Sequence, residues 1–554
     1  MNVIPPLPIV GTGAITRAST GTYFDKAGVL QTAANDVLRL SYNPANPSAA
    51  PVALIEAAAT NLLFYSSDLG NATWFKSAAT VSVNTVTAPD GTLTADAITF
   101  SGSGWVGQDF GTPVGTYTYS LFAKTASRVL LIGGGGAVSE ISFSTQDAGG
   151  GWYRQAVTFT ITSGALQPLN VPPAGASFPY VLSAFGAQLE TGLVATSPIA
   201  TVGASATRAA DIVTGSGLIY SSAIEAAPAL YVGGTTYGAG ATVSVAGTLN
   251  SYDCYTSLQA GNIGHTPATS PTWWAFAGTT YGAYGAGTFA LGDRVINTTT
   301  HNVYESLIAS NTGNALTDET KWFLVGKTIK WAQFDVLRNT ATVGASPLVT
   351  ILAPGVRIDA IALLGLVATS VNITMVLNGV TVYSYTQNLN QREVLNGYDY
   401  CFKPFGTQKA LALFNLPPYS TAVTTITLVN AGGLVECGGC FIGSAVYIGD
   451  IQYEAESDAL NFSSVTRDAQ GNATLTPERN VPKVIGQIFL PKSLVNTAYE
   501  LRDKLNGTTA VWASINDGTD GYFNSLLIQG FYRRFTINVK YPQHAIISVE
   551  LEEV

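Results

Sequence analysis

The residues best suited to chemistry in this sequence are aromatic, and they repeat. Tyr255, Ser257, Leu258, Asn262, Gly264 and Trp273 recur as Tyr304, Ser306, Leu307, Asn311, Gly313 and Trp322, each pair 49 positions apart. A further tryptophan, Trp274, follows the first copy's Trp273. A flat ring offers an apolar face to the C–H groups of a pyranose, while nearby polar groups meet its hydroxyls. One such stack contributes on the order of 1 kcal/mol, so single sites bind weakly and repeated sites gain through effective concentration. Tyr255, Trp273 and Trp274, with Tyr304 and Trp322 in the second copy, are therefore candidate carbohydrate-binding residues. The competing role is packing, because so small a module has little else to bury. Packing is the stronger reading for Trp273 and Trp322, whereas Trp274, the additional ring, is expected to be exposed. Trp74, Trp105 and Trp152 pose the same choice upstream: a sugar-lined groove or, more in keeping with their size, a core.

Other chemistry finds less support. Glycan cleavage uses two carboxylates flanking the bond, and the chain's 35 acidic residues form no evident cluster. Asp211, Asp450, Glu454, Glu456 and Asp458 sit beside linkers or turns, and Glu550, Glu552 and Glu553 read as a solvated strand end. His265, His301 and His544 are the only histidines, and the first two fall at non-equivalent points of the repeat, as surface residues would. Of Cys254, Cys401, Cys437 and Cys440, the last two have CxxC spacing but lack two further zinc ligands. They read as free thiols beside a glycine turn, with no disulfide framework. The glycine run at 133–136 has no following Lys-Ser/Thr, and the acidic turn at 516–521 lacks the terminal Glu of a calcium loop. The expectation is no catalytic residue, no metal and no cofactor.

The elements that must carry the aromatic residues are strands. The chain has 554 residues, too many for one hydrophobic core, with 47% hydrophobic and only 11% charged residues. Gly, Ala, Thr, Ser and Val dominate, which suits strands and tight turns. The net charge is −9 and no basic run occurs, so nucleic acid is not an expected partner. No basic residue precedes an apolar core near the start, so no secretory signal is read there. The apolar stretch at 358–382 is interrupted by Asn372, Thr374, Asn378 and Gly379. A spanning helix needs about 20 nearly unbroken apolar residues, so this stretch is read as strands and no membrane insertion is expected. Asn378-Gly379 predicts a type I′ hairpin turn, and Ala88-Pro89-Asp90-Gly91 another turn. Tyr117 to Ala123 alternates as a half-buried strand should. A helix is predicted only over 491–506, where Leu494, Ala498, Leu501 and Leu505 share a face and Gly507 follows. The fold class is thus all-β and multi-domain. We divide it into a lead-in or attachment segment (1–59), a jelly-roll or β-sandwich domain (60–213), two small tandem β modules (214–278 and 279–328), and a C-terminal β domain with one helix (329–554).

Several motifs add a family resemblance. Thr60-Asn61-Leu62-Leu63, Asn71-Ala72-Thr73-Trp74, Ala88-Pro89-Asp90-Gly91, Gly186-Ala187-Gln188-Leu189-Glu190 and Ala206-Thr207-Arg208-Ala209-Ala210-Asp211 occur in that order. The set resembles a carbohydrate-binding-module-like jelly roll found in tailed-bacteriophage virion and tail proteins, and residues 17–25 resemble the segment that precedes it. The tandem copies, best in Gly292-Asp293-Arg294-Val295 through Trp322, resemble small chitin- or cellulose-binding modules. Pro417-Pro418-Tyr419, Gly438-Gly439 and Gly530-Phe531-Tyr532 through Tyr541-Pro542 are similar to C-terminal domains of phage tail-associated proteins. The resemblance implies a non-enzymatic structural component of a phage virion (tail, collar or appendage), assembled in the host cytoplasm, that contributes to recognition of host-surface glycans during attachment. Its expected partners are other virion proteins, further copies of itself in a symmetric oligomer, and a bacterial surface glycan. Three alternatives stay open: a purely structural tail or collar protein without sugar binding, a glycan-degrading tailspike, and a secreted bacterial adhesin, against which the lack of a secretory signal speaks.

Overall fold

In the computed structural model nearly every regular element is a strand, as an all-β, multi-domain fold requires. It describes residues 1–554 apart from 112–113, 134–136, 165–166, 392–393, 404–405, 432, 516–522 and 540. The glycine run at 133–136 lies partly, and the acidic turn at 516–521 wholly, outside the described residues. The expected helix forms as a 3-10 turn, Lys492–Leu494, leading into Val495–Lys504, with Ala498, Leu501 and Leu505 buried against the last sheet. It is not alone: short helical segments also form at Gly397–Phe402 and Phe523–Leu526. The first is started by the Asn396 side chain, which accepts the Asp399 N–H at 2.9 Å, a local cap independent of any apolar periodicity.

The jelly-roll sheet places Gly115–Ala123 between Tyr153–Ser163 and Tyr180–Thr191, with Ala95–Gly107 beyond. Alternation sends Tyr117, Tyr119 and Leu121 into the main core with Trp74, Phe100, Phe159 and Leu189. The strand expected to be half-buried is covered on its other face too. There Phe122 joins Leu30, Trp152 and Phe185, and Phe24 meets it edge-on at 6.2 Å. Phe24 and Leu30 belong to the hairpin Gly21–Phe24 and Leu30–Ala33, which makes the second layer.

The segment 1–59 is therefore not a separate lead-in, and this expectation is corrected. Its hairpin covers the jelly roll, Ala14–Thr16 pairs with Ile212–Thr214, and Asn2–Ile4 is an interior strand of the last sheet. That sheet runs Val446–Tyr447, Asn2–Ile4, Ala510–Ala513, Leu527–Asn538, His544–Glu553, Asn480–Pro491, Asp450–Ile451. Val3 is fully buried there, so apolar residues near a proline-rich start are explained by packing against the opposite end of the chain.

The tandem modules interrupt another unit. Gly217–Ser221, just before them, pairs with Leu348–Ala353, just after. These strands join Val423–Val429, Ser370–Leu377 and Val380–Asn388 in one sheet, which packs on Thr342–Gly344, Val435–Gly443, Ala360–Val367 and Ala410–Phe414. Residues 217–221, assigned from sequence to the first module, thus belong to this sandwich. The Asn378-Gly379 turn takes φ of 50° and 83°, as a type I′ turn needs. The stretch at 358–382 supplies sandwich strands, and no helix among the described residues is long and apolar enough to cross a membrane.

Candidate functional site

Each tandem module is an antiparallel sheet closed by a buried asparagine. In the second, Arg294–Asn297, Asn302–Ser306 and Trp322–Lys327 pair in order. Asn311 Nδ2 donates to Ser306 Oγ at 3.0 Å and to the Lys321 carbonyl at 3.1 Å. In the first, Thr242–Ala246, Ser251–Ser257 and Trp274–Ala283 pair likewise. Asn262 Nδ2 donates to Ser257 Oγ at 3.1 Å and to the Trp273 carbonyl at 3.3 Å. The Leu258 N–H reaches the Trp273 carbonyl and the Leu307 N–H the Lys321 carbonyl, both at 2.9 Å.

These bonds make Trp273 equivalent to Lys321, so Trp274, not Trp273, is the counterpart of Trp322. Trp274 and Trp322 are each 2% exposed, and their indole N–H groups donate to the carbonyls of His265 (2.7 Å) and Asn314 (3.0 Å). The expectation of an exposed Trp274 is thus corrected: the first copy has one residue more between Gly264 and its packed tryptophan, and constant spacing hid the slip. Trp273 is the additional ring. It is half-buried and lies flat on His265 at 3.9 Å and 11°.

Over each buried tryptophan sits a pair of half-buried rings. Tyr231 and Tyr237 stack at 5.8 Å and 27°, and meet Trp274 edge-on at 5.9 Å and 5.3 Å. Tyr284 and Phe289 stack at 6.1 Å and 26°, and meet Trp322 at 5.8 Å and 5.5 Å. The angles to the tryptophan match within one degree, 88° and 68° against 88° and 67°. Sequence reasoning missed these four residues because the copies run at a different offset upstream. The match of Val243 to Val295 was the available signal: extended backward, it brings Tyr237 onto Phe289 and Tyr231 within one residue of Tyr284.

The chain matches no protein-family model and no curated protein. A solved structure, the GH78 family rhamnosidase of Bacillus sp. GL1, aligns with 81% of this chain and 36% of its own at 10% identity and a TM-score of 0.15. The chain thus spans about a third of that enzyme's length. A likeness this weak carries no inference about fold or activity.

The remaining candidates scatter. Tyr255 is buried against Val243 and Trp274, and burial raises its phenol above the usual range. Tyr304 is half-buried opposite Leu324. Trp74 is in the jelly-roll core with its N–H on the Tyr65 carbonyl (3.1 Å), and Trp152 lies in the second layer with its N–H on Thr87 (3.2 Å). Trp105 is half-buried on the strand Ala95–Gly107. The structure does not bring these five together.

A different polar set does converge, at the seam between the leading hairpin and the jelly roll. Asp211 accepts from Arg17 at 2.8 Å and Arg39 at 2.5 Å, and Arg39 also reaches Glu56 at 2.8 Å. Arg208 stands 3.5 Å from Glu56 and 3.7 Å from Asp211. The side chains of Arg17, Arg39 and Asp211 are fully buried. Burial alone would raise the Glu56 carboxyl, but Arg208, Arg39 and two hydrogen bonds from Ser197 hold it below its ordinary 4.5. The motif residues 17 and 206–211 thus act as a clasp between chain segments far apart in sequence.

The two CxxC thiols are shielded by placement. Cys437 and Cys440 lie on the strand Val435–Gly443 inside the sandwich core, and burial pushes Cys437 up to about 12 and Cys440 well above the thiol range. Among the described residues no group of three or more His, Cys, Asp or Glu side chains could hold a metal.

Proposed function

We propose that this chain is a non-enzymatic component of a tailed-phage particle that presents weak, repeated glycan-binding surfaces to the host. The observation that carries the reading is the duplicated ring arrangement. Two modules of different sequence place two stacked, half-exposed rings on a buried tryptophan with angles that agree within one degree and distances that agree within 0.3 Å. A preorganised aromatic face loses little conformational freedom when a sugar ring settles on it, and two faces on one chain raise effective concentration. The motif resemblance supports a place in a virion, and multiple copies there would multiply the same gain.

The glutamate at the seam cavity gives no support to a catalytic reading there. A glycosidase needs one carboxyl kept protonated near neutral pH. Glu56, which lines a cavity with Asp147, is shifted the opposite way, and both its oxygens already accept from Arg39 or Ser197.

The test is binding of the full chain to an array of bacterial surface polysaccharides, beside a Tyr237→Ala/Phe289→Ala double variant. Wild type should bind with multivalent enhancement, and the variant should lose at least tenfold. Failure of wild type to bind any glycan, or release of reducing ends from one, would overturn the proposal.

A further inference from the structure

A cleft of about 270 Å³ opens where the leading hairpin, the first tandem module and the sandwich meet. Lys26 reaches it from the hairpin turn, Gly240 and Thr256 from the module, and Tyr220 and Ser346 from the sandwich, with Tyr42 beside them. The Lys26 stem lies against Gly240, whose φ is 83°, and a Cβ on that glycine would stand 3.4 Å from Lys26 Cδ. Among the described residues the half-buried Lys26 has no ion-pair or hydrogen-bond partner for its ammonium, and none of the residues lining the cleft is acidic. Pockets for drug-sized ligands run to roughly 300–1,000 Å³, so this one takes a small polar group.

The cleft offers donors and little to receive them. Burial pushes the Lys26 ammonium below the usual lysine range, and no acid offsets the shift. A cation taken partly out of water without a counter-charge costs free energy, and a bound anion recovers part of it. The hydroxyls of Tyr42, Tyr220 and Thr256 donate to no described residue. Ser346 Oγ accepts the Asn430 N–H at 3.0 Å and keeps its own proton for a ligand. Burial, and after it the neighbouring Tyr42, raises the Tyr220 phenol to about 12, so it remains a donor at neutral pH. The seam cavity on the other side of the leading hairpin differs in kind, because Glu56 and Asp147 line it.

We propose that the Lys26 cleft binds a phosphate group, free or as a phosphate ester. The planar edge of an arginine matches a carboxylate in bidentate fashion, and no arginine lines this cleft. A lysine acts as a point charge. The oxygens of a phosphate point in several directions, which suits an ammonium and hydroxyls that arrive from three parts of the fold. The bound anion ties the first module to the leading hairpin and the sandwich. The site is separate from the stacked rings of the tandem modules and does not rest on their binding sugar.

The test is phosphorus NMR line broadening on the full chain with inorganic phosphate and glycerophosphate, beside saturation-transfer NMR with glycerol and sodium acetate. At least one phosphate should bind saturably, and the tighter of the two identifies the source as free phosphate or an ester. Glycerol and acetate should bind at least tenfold more weakly. Lys26→Gln, which keeps the stem over Gly240 and removes the charge, should weaken phosphate binding at least tenfold, and Tyr220→Phe severalfold. Lys504→Gln, which removes an exposed lysine elsewhere, should leave it unchanged. Should Lys26→Gln loosen the hairpin, Tyr220→Phe and the acetate comparison decide alone, and full binding by Tyr220→Phe then refutes the site. Absence of phosphate binding, equal binding of acetate, full binding by a folded Lys26→Gln, or equal losses in Lys26→Gln and Lys504→Gln overturns the proposal.

Discussion

Asp211→Asn should open the seam between the leading hairpin and the jelly roll. The wild-type carboxylate accepts from Arg17 and Arg39 and, at 3.0 Å, from the Glu56 backbone N–H. Asparagine keeps the shape and one acceptor oxygen, but it removes the charge and turns an N–H₂ group toward a guanidinium. Among the described residues Glu56 is then the one carboxylate left within ion-pair distance of Arg39 and Arg208, and Arg17 keeps none. Removing one partner of a buried ion pair costs about 3–5 kcal/mol. With a urea dependence of about 2 kcal/mol/M, the seam's unfolding midpoint should fall by roughly 2 M. A chain of several domains does not unfold in one step, so the assay must be local. Hydrogen exchange against urea, read by mass spectrometry on peptides covering 17–56, 115–123 and 206–214, separates this unit from the rest. Glu140→Gln is the contrast. It breaks the Arg128–Glu140 pair, which is as close at 2.6 Å but about 35–44% exposed, and an exposed pair is worth about 0–1 kcal/mol. If Asp211→Asn shifts these peptides no more than Glu140→Gln does, the clasp does not hold the seam and the reasoning fails.

Three further outcomes follow from the same geometry. Because Glu56 is held below its ordinary 4.5 in the folded chain, its ionised form stabilises the seam above that pH, and the contribution is lost as pH falls through the lower folded value; Glu56→Gln should remove that part of the acid response in local exchange. Of the four cysteines only Cys401 is exposed, so a thiol reagent should modify one thiol in the native chain and all four after denaturation. Trp274→Ala should unfold the first module, since truncating a packed tryptophan costs about 3–5 kcal/mol, whereas Trp273→Ala should leave its exchange protection nearly unchanged; equal loss in both would return Trp273 to the core.

Much of the fold was legible where a residue's role is set by its neighbours in sequence. The Asn378-Gly379 turn, the strand over Tyr117 to Ala123 (though buried on both faces), the helix near 495 and the final two strands all depend on local pattern, and all form. What stayed hidden depends on distant pairing. Nothing near Asn2 or Val3 announces that they hydrogen-bond beside Ala513 and Trp512, and Gly217–Ser221 looks like any strand until Leu348–Ala353 is placed beside it. The repeat was legible at Ser257, Asn262, Ser306 and Asn311, because a buried asparagine bound to a serine fixes both positions. It was misread at the tryptophans, where one extra residue in a turn leaves the sheet unchanged but shifts the alignment.

The clasp shows how residues that look unremarkable in sequence acquire a role from distant partners. Asp211 reads in sequence as an acid beside a linker, with Arg208 three residues before it. Their buried partners Arg17, Arg39 and Glu56 lie more than 150 positions earlier. Burying so many ionised groups without mutual pairing would be prohibitive. Once paired, they tolerate few alternative arrangements of the segments that carry them. Their specificity is therefore spent on holding one chain path against another. Both oxygens of Asp211 and of Glu56 already accept within that network, which is why ligand chemistry is to be sought at the stacked rings of the tandem modules and in the Lys26 cleft.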